Sequence, residues 1–246
     1  PPYATHFSTT NYETAYHFVE GLMTMWKGKE IKQDSKTKRY DISSKTVTEK
    51  TANEFFENYL KASNHIKYWI ISYRDNAYPS EREIKKIIET IGKDSRMKSR
   101  DHHYSISSEH GENSDAKEHI FICGPRGFLK KANAEVEEER DVQVPIEEDF
   151  LFALAARRSG YENKHTEDKT RVSGYMGSKY FVLDWIWRAV PKEIRDNPNG
   201  NVFFDAFCGG ANVAYFFKQK GFKVITNDSL DLPTHIARAV IENNSV

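Results

Sequence analysis

Hydrophobic and polar positions along the chain switch between the two periods that distinguish helices from strands. Tyr68 to Tyr73 (YWIISY) is a nearly continuous apolar run, which predicts a central strand covered on both faces. Beyond a turn at Asp75-Asn76, Ile84, Ile87, Ile88 and Ile91 recur at helical spacing. Ser80 and Glu83 supply a capping box at the start of that helix, and Gly92 supplies a stop at its end. A second box, Thr46-x-x-Glu49, predicts a helix running to about Ala62 with Phe55, Phe56, Tyr59 and Leu60 on its apolar side. Glu13 to Met25 reads as a helix carrying Tyr16, Val19, Glu20, Leu22 and Met23. His103 to Ser107 and His119 to Cys123 alternate as two strands of a hairpin with a long loop. The stretch 124–171 is less informative: Glu135 to Asp149 is acid-rich, and only Asp149 to Arg158 has helical spacing. It reads as a connector. Tyr180 to Val190, ended by Pro191, and Pro233 to Asn243 read as the last two helices outside the segment that organises the chain.

That segment is Asn201 to Asp228. Val202, Phe203 and Phe204 are β-prone and follow a turn at Asn197-Pro198-Asn199-Gly200. Cys208, Gly209 and Gly210 make a tight loop that a ligand's atoms can approach closely. Ala211 to Lys220 has helical spacing through Val213, Phe216 and Phe217 and stops at Gly221. Phe222 to Thr226 is a second strand, with Asp228 at its end. Strand, glycine loop, helix, strand and acid make a nucleotide-binding half of an open α/β sheet. Asp228 lies 18 positions past Gly210, close to the spacing at which such folds hold a ribose hydroxyl. Asp205 is followed by Ala206, Phe207, Cys208, Gly209 and Gly210 rather than by G-x-G-x-x-G, which argues against NAD and for another adenosine-bearing ligand. The bland alternative is an ordinary βαβ unit with a glycine turn.

Composition changes this picture little. The chain has 246 residues, enough for one large domain or two small ones, and 36 basic residues balance 36 acidic ones. A neutral whole leaves any nucleic-acid contact to a local patch. Lys27 to Arg39 is that patch: Lys27, Lys29, Lys32, Lys36, Lys38 and Arg39 outnumber Glu30 and Asp34 by four charges. It reads either as solvated surface or as a phosphate contact. Two cysteines, Cys123 and Cys208, give neither a disulfide framework nor metal spacing. His102, His103, His110 and His119 read as solvated loop histidines rather than a metal site. No apolar run approaches a membrane span and no signal peptide is visible, so the expectation is a cytoplasmic protein with no membrane and no metal.

The motifs then converge. SGYMGSK (173–179), some two dozen residues ahead of FFDAFCGGANVAYFF and followed by ITND, resembles the first half of Dam-like DNA adenine methyltransferases. Pro1-Pro2-Tyr3, followed by YWIISY, resembles the second half of that family, whose catalytic motif is Asp-Pro-Pro-Tyr. The halves stand in the reverse of the family's usual order, and the Asp that the motif places before its first Pro is absent from this sequence, which begins at Pro1. The expectation is therefore either a natural permuted order or a truncated or joined chain.

The resemblance implies an α/β, Rossmann-like S-adenosylmethionine-dependent methyltransferase fold, with a mostly parallel central sheet and an antiparallel hairpin. It divides the chain into a catalytic half (1–123), a helical connector (124–172) and a cofactor half (173–246). It implies transfer of a methyl group to the exocyclic amine of adenine in double-stranded DNA, in a restriction-modification or orphan system with a cognate endonuclease encoded nearby. Pro1, Pro2 and Tyr3 would be catalytic, Tyr3 stacking on a flipped base. Tyr175, Met176, Gly177, Lys179, Asp205, Ala206, Phe207, Cys208, Gly209, Gly210 and Asp228 would bind S-adenosylmethionine. Lys27, Lys29, Lys32, Lys36, Lys38 and Arg39 would contact DNA. Two alternatives stay open: a rearranged remnant that binds cofactor or DNA without turnover, and a methyltransferase of RNA or small molecules.

Overall fold

The computed structural model describes residues 4–5, 12–34, 36–40, 47–103, 115–129, 171–175 and 178–244. They fall into two units. One comprises Pro1–Ala134 with the short stretches Arg188–Pro191 and Leu230–Leu232; the other comprises Glu135–Trp187, Lys192–Ser229 and Pro233–Val246.

The first unit runs β1 (Ala4–Thr5), α1 (Tyr12–Met23), α2 (Glu49–Ala62), β2 (Trp69–Arg74), β3 (Ala77–Tyr78), α3 (Glu81–Ile91), β4 (Lys93–His103) and β5 (Asp115–Pro125). The spacing in α3 is realised in full. Glu83 accepts the Ser80 N–H at 2.8 Å, Ser80 Oγ accepts the Glu83 N–H at 3.4 Å, and Gly92 closes the helix at φ 92°. The start of α2 differs from expectation. Its cap is Thr48, whose N–H donates to the Thr51 hydroxyl at 3.0 Å, and Glu49 is already helical. A hydroxyl three residues in does the work expected of a carboxylate; Thr46 lies outside the described residues.

β5 is the middle of a three-stranded antiparallel sheet ordered β2-β5-β4, with Ile71 opposite Phe121 and Met97 opposite Phe121 from the other side. YWIISY is therefore an edge strand among the described strands, which corrects its reading as central. The strand covered on both faces is His119–Cys123, five consecutive buried residues. Of the expected partner strand His103 to Ser107, residues 104–107 lie outside the described residues; the described partner is β4, so polar (KDSRMKSRDHH) that no apolar alternation announces it. One face of the sheet packs Trp69, Tyr73, Phe121 and Cys123 against Phe56 and Leu60 of α2 and Ile84 and Ile88 of α3. Phe56 meets Tyr73 edge-on at 5.6 Å. Lys93 is buried beside this core. Its ammonium donates to the carbonyls of Ile66 (2.8 Å) and Lys67 (3.1 Å) and lies 4.5 Å from the Trp69 ring, which offsets a burial that pulls its pKa down.

α1 ends abruptly. Met25 (φ 52°), Trp26 (φ 58°) and Gly28 (φ 69°) are left-handed, and the Trp26 ring covers Gly21 so closely that a Cβ there would collide with it. An isolated bridge between Ile31 and Tyr40, with Lys32 N–H donating to Arg39 O at 2.7 Å, folds the basic segment into a small hairpin.

In the second unit a 3-10 turn (Tyr180–Val182) leads into α4 (Leu183–Ala189) and α5 (Lys192–Arg195). There follow β6 (Val202–Asp205), α6 (Asn212–Gln219), β7 (Lys223–Thr226) and α7 (Asp231–Ile241). β6 and β7 pair in parallel, Val202 with Lys223 through Asp205 with Thr226, as a strand-helix-strand crossover requires. Phe203 stacks on Phe217 of α6 at 3.8 Å, and Trp187 meets Phe216, Phe217 and Phe222 edge-on. The described strands thus form an α/β structure whose larger sheet is antiparallel and whose parallel pairing is β6–β7.

Candidate functional site

The ends of β6 and β7 are tied together where their ladder stops. Asn227 N–H donates to Asp205 O (2.8 Å), Cys208 N–H to Asn227 O (3.0 Å), and the Asn227 side-chain amide to Ala206 O (3.0 Å). These bonds fold 205–211 into a loop over the strand ends. Gly209, at φ 46°, donates its N–H to Asp228 Oδ2 at 2.9 Å. The acid that the sequence places 18 residues past Gly210 thus contacts the glycine loop directly, one residue earlier, at Gly209.

The SGYMGSK segment closes the site from the other side. Ser173 Oγ donates to Gly210 O at 3.0 Å, and a Cβ on Gly210 would collide with Ser173 Oγ and with Tyr175. The Tyr175 ring lies against Gly209. Asn212, the first residue of α6 and 3% exposed, holds the two parts together. Its Oδ1 accepts the Val172 N–H at 2.9 Å, and its Nδ2 donates to Ser173 O (3.2 Å) and Ser178 Oγ (3.0 Å). Three of the four hydrogen bonds an amide can make are thereby used.

The structure thus brings Tyr175, Asp205, Ala206, Phe207, Cys208, Gly209, Gly210 and Asp228 together. Lys179 stands just before the 3-10 turn, its carbonyl accepting the Val182 N–H at 3.0 Å. Met176 and Gly177, like Pro1, Pro2 and Tyr3, lie outside the described residues. Sequence reasoning missed Asn212, Asn227 and Ser173 as site residues. The usable signal was an Asn directly after a Gly-Gly-Ala turn, where a polar side chain beginning an apolar helix needs a partner.

Electrostatics mark Asp205. Its Oδ2 is buried without a hydrogen-bond partner among the described residues. Burial raises its pKa to about 6, and Asp228 pushes the same way, while N–H donation from Phe207 pulls it back. Cys208 is pushed up to about 12, first by burial and then by Asp205 and Asp228, so at neutral pH it is a thiol and no nucleophile. A loop with two adjacent glycines and an orphaned carboxylate oxygen fits a ligand that is cationic where it would meet Asp205 and offers ribose hydroxyls where it would meet Asp228. S-adenosylmethionine has that donor set.

The other candidates separate. Lys27, Lys32, Lys36, Lys38 and Arg39 are exposed on the hairpin, whereas Lys29 is drawn inward to Glu13 Oε1 (3.5 Å) and the Tyr40 ring (4.2 Å). His119 is not a solvated loop residue: it is buried on β5 with its Nδ1 2.8 Å from Ser99 Oγ. His110 and the side chains of His102 and His103 lie outside what is described. Among the described residues no cluster of His, Cys, Asp or Glu has metal-binding geometry, and no helix is long and apolar enough to cross a membrane.

A glycine loop at the ends of a parallel strand pair, closed by an acid two residues past the second strand, is the arrangement at which open α/β sheets hold nucleotides. Comparison narrows the class: residues 175–246 match the family model of D12 class N6 adenine-specific DNA methyltransferases. Type II methyltransferase M2.HphI of Haemophilus parahaemolyticus is 33% identical over 70 residues, 28% of this chain and 19% of that protein. Type II methyltransferase M.FokI of Planomicrobium okeanokoites is 38% identical over 72 residues, 29% of this chain and 11% of that protein. The chain thus spans less than a fifth of the length of these curated relatives. No solved structure matches it significantly.

Proposed function

We propose that this chain takes part in S-adenosylmethionine-dependent methylation of the exocyclic amine of adenine in double-stranded DNA. The observation that carries the reading is the coincidence of the D12 match with the loop it covers, where Gly209 is bonded to Asp228 beside the orphaned Asp205 oxygen. When bound, S-adenosylmethionine supplies an electrophilic sulfonium methyl. The protein's part is to hold and orient. Asp228 fixes the glycine loop and would take the ribose hydroxyls; Asp205 would meet the cationic amino-acid end and the backbone of 206–210 would wrap the cofactor, to which Tyr175, Met176, Gly177 and Lys179 are also assigned. An amine delocalised into its ring is a poor nucleophile, so the gain comes from positioning and electrostatics. Pro1, Pro2 and Tyr3 are the residues we assign to the target base, and the cations of 27–39 to DNA phosphates.

This reading includes the finer parts of the expectation: a Rossmann-like fold with a mostly parallel central sheet, and halves at 1–123 and 173–246 joined by a connector at 124–172. It also includes a cytoplasmic setting within a restriction-modification system with a cognate endonuclease. The Type II names of the two relatives support that setting. Calorimetric titration with S-adenosylmethionine tests the core of it. Wild type should bind, and Asp228→Ala should bind at least about tenfold more weakly, having lost a charge-assisted contact. No heat with wild type, or equal affinity in the variant, would overturn the assignment.

A further inference from the structure

An apolar stripe runs down the outer side of α1 into the turn beyond it. Phe18 and Leu22 stand at i and i+4 on one face of α1, Met25 follows in the left-handed turn two residues past its end, and the three are 62%, 52% and 73% exposed. Three large apolar side chains grouped in solvent call for a partner. The stripe is built onto the basic hairpin. Phe18 meets Trp26 edge-on at 6.0 Å, Trp26 meets Tyr40 at 6.3 Å, and Tyr40 is bridged to Ile31 in the hairpin stem. The His17 ring, next to Phe18, reaches Thr37 O on the returning strand with its Nε2 at 3.0 Å. Trp26 is seated on Gly21, so Met25 is the outward residue of a turn whose backbone is anchored on both sides.

The surroundings say what that partner is. Five exposed cations, Lys27, Lys32, Lys36, Lys38 and Arg39, against two exposed acids, Glu30 and Asp34, stand on the segment that the Trp26–Tyr40 contact ties to the stripe. The rim of a protein–protein contact mixes its charges, whereas one of a single sign fits a polyanion. A fully paired duplex offers phosphates but little apolar surface to three such side chains. A duplex with one nucleotide turned out offers the faces of unstacked bases between two lines of phosphate.

We propose that Phe18, Leu22 and Met25 form a wedge that packs against the bases left unstacked beside a flipped nucleotide, while the hairpin's cations hold the adjoining phosphates. The proposal rests on the reading that the substrate is duplex DNA and adds how the opened duplex is gripped.

Fluorescence anisotropy of the full chain with two labelled duplexes tests it, one fully paired and one with a single abasic site, over a range of salt concentrations. Wild type should prefer the abasic duplex. Phe18→Ser/Leu22→Ser/Met25→Ser should lose that preference, weakening on the abasic duplex by about tenfold with its salt dependence unchanged. Lys32→Gln/Lys36→Gln/Lys38→Gln should weaken both duplexes alike and lower the salt slope by about 3. Circular dichroism confirms that both variants fold. If wild type binds neither duplex, the DNA reading itself fails. If wild type binds with steep salt dependence but the serine variant keeps its preference, only the wedge fails. A serine variant that turns a dimer into a monomer with DNA affinity intact would make the stripe an interface between copies and overturn the proposal.

Discussion

Asp205 concentrates the chemistry of the glycine loop in one oxygen. Its carboxyl ordinarily titrates near 3.8 and is raised to about 6 by burial. A carboxylate that is harder to ionise when folded leaves the native state unpenalised below about 4, and the penalty grows until it is complete above about 6. Asp205→Asn should therefore gain stability on the order of 3 kcal/mol at pH 8 and almost nothing at pH 3.5, read from denaturant midpoints at the two values. Ligand binding should run the other way. A cationic ligand selects the ionised carboxylate, so wild-type affinity for S-adenosylmethionine should climb as pH rises through about 6 and then level off, while the Asn variant stays flat. The place of this Asp was legible: it ends an apolar strand just ahead of two glycines. The role of Asn212 was not, because its partners at Val172, Ser173 and Ser178 are some forty residues away in sequence and only folding brings them near.

Among the elements, α1 shows two effects in competition at a single position. Replacing Gly21 by Ala should help a helix by about 1 kcal/mol through propensity. The added methyl, however, must enter the space of the Trp26 ring. Overpacking of this kind costs typically about 1–3 kcal/mol, and here it also unseats the residue that links α1 to Tyr40. Gly21→Ala should accordingly be destabilising in urea unfolding, and it should increase the fluorescence accessibility of Trp26; net stabilisation would show that the turn yields freely. Elements whose signals are local were readable from the chain. The start and stop of α3 lie in Ser80, Glu83 and Gly92, and the β6-α6-β7 crossover in its punctuation by glycine. β4 was not, since its identity comes from pairing with β5 and not from any pattern of its own. The same limit explains YWIISY: an apolar run reports burial, but which strand lies between two others is decided by partners far along the chain.

For the whole molecule, a net charge of +0 conceals strong local asymmetry, and the hairpin at 27–39 is one instance. β4 is another. It pairs only with β5 among the described strands, so its outer rim of backbone groups lies at an edge of the sheet. Arg96, Lys98 and Arg100 alternate along it on one face. An eleven-residue edge is long enough to template the strand of another molecule. Two such edges approaching each other would bring like charges into register, so the row acts as a deterrent to self-association in a protein whose overall charge offers no colloidal repulsion. Replacing the three by Thr, a good strand former, should leave the fold intact yet produce time-dependent light scattering at concentrations where wild type stays clear; a clear solution of the variant would show that something else guards the edge. Shelf life in solution, for this protein, should then depend on three side chains that take no part in the proposed reaction.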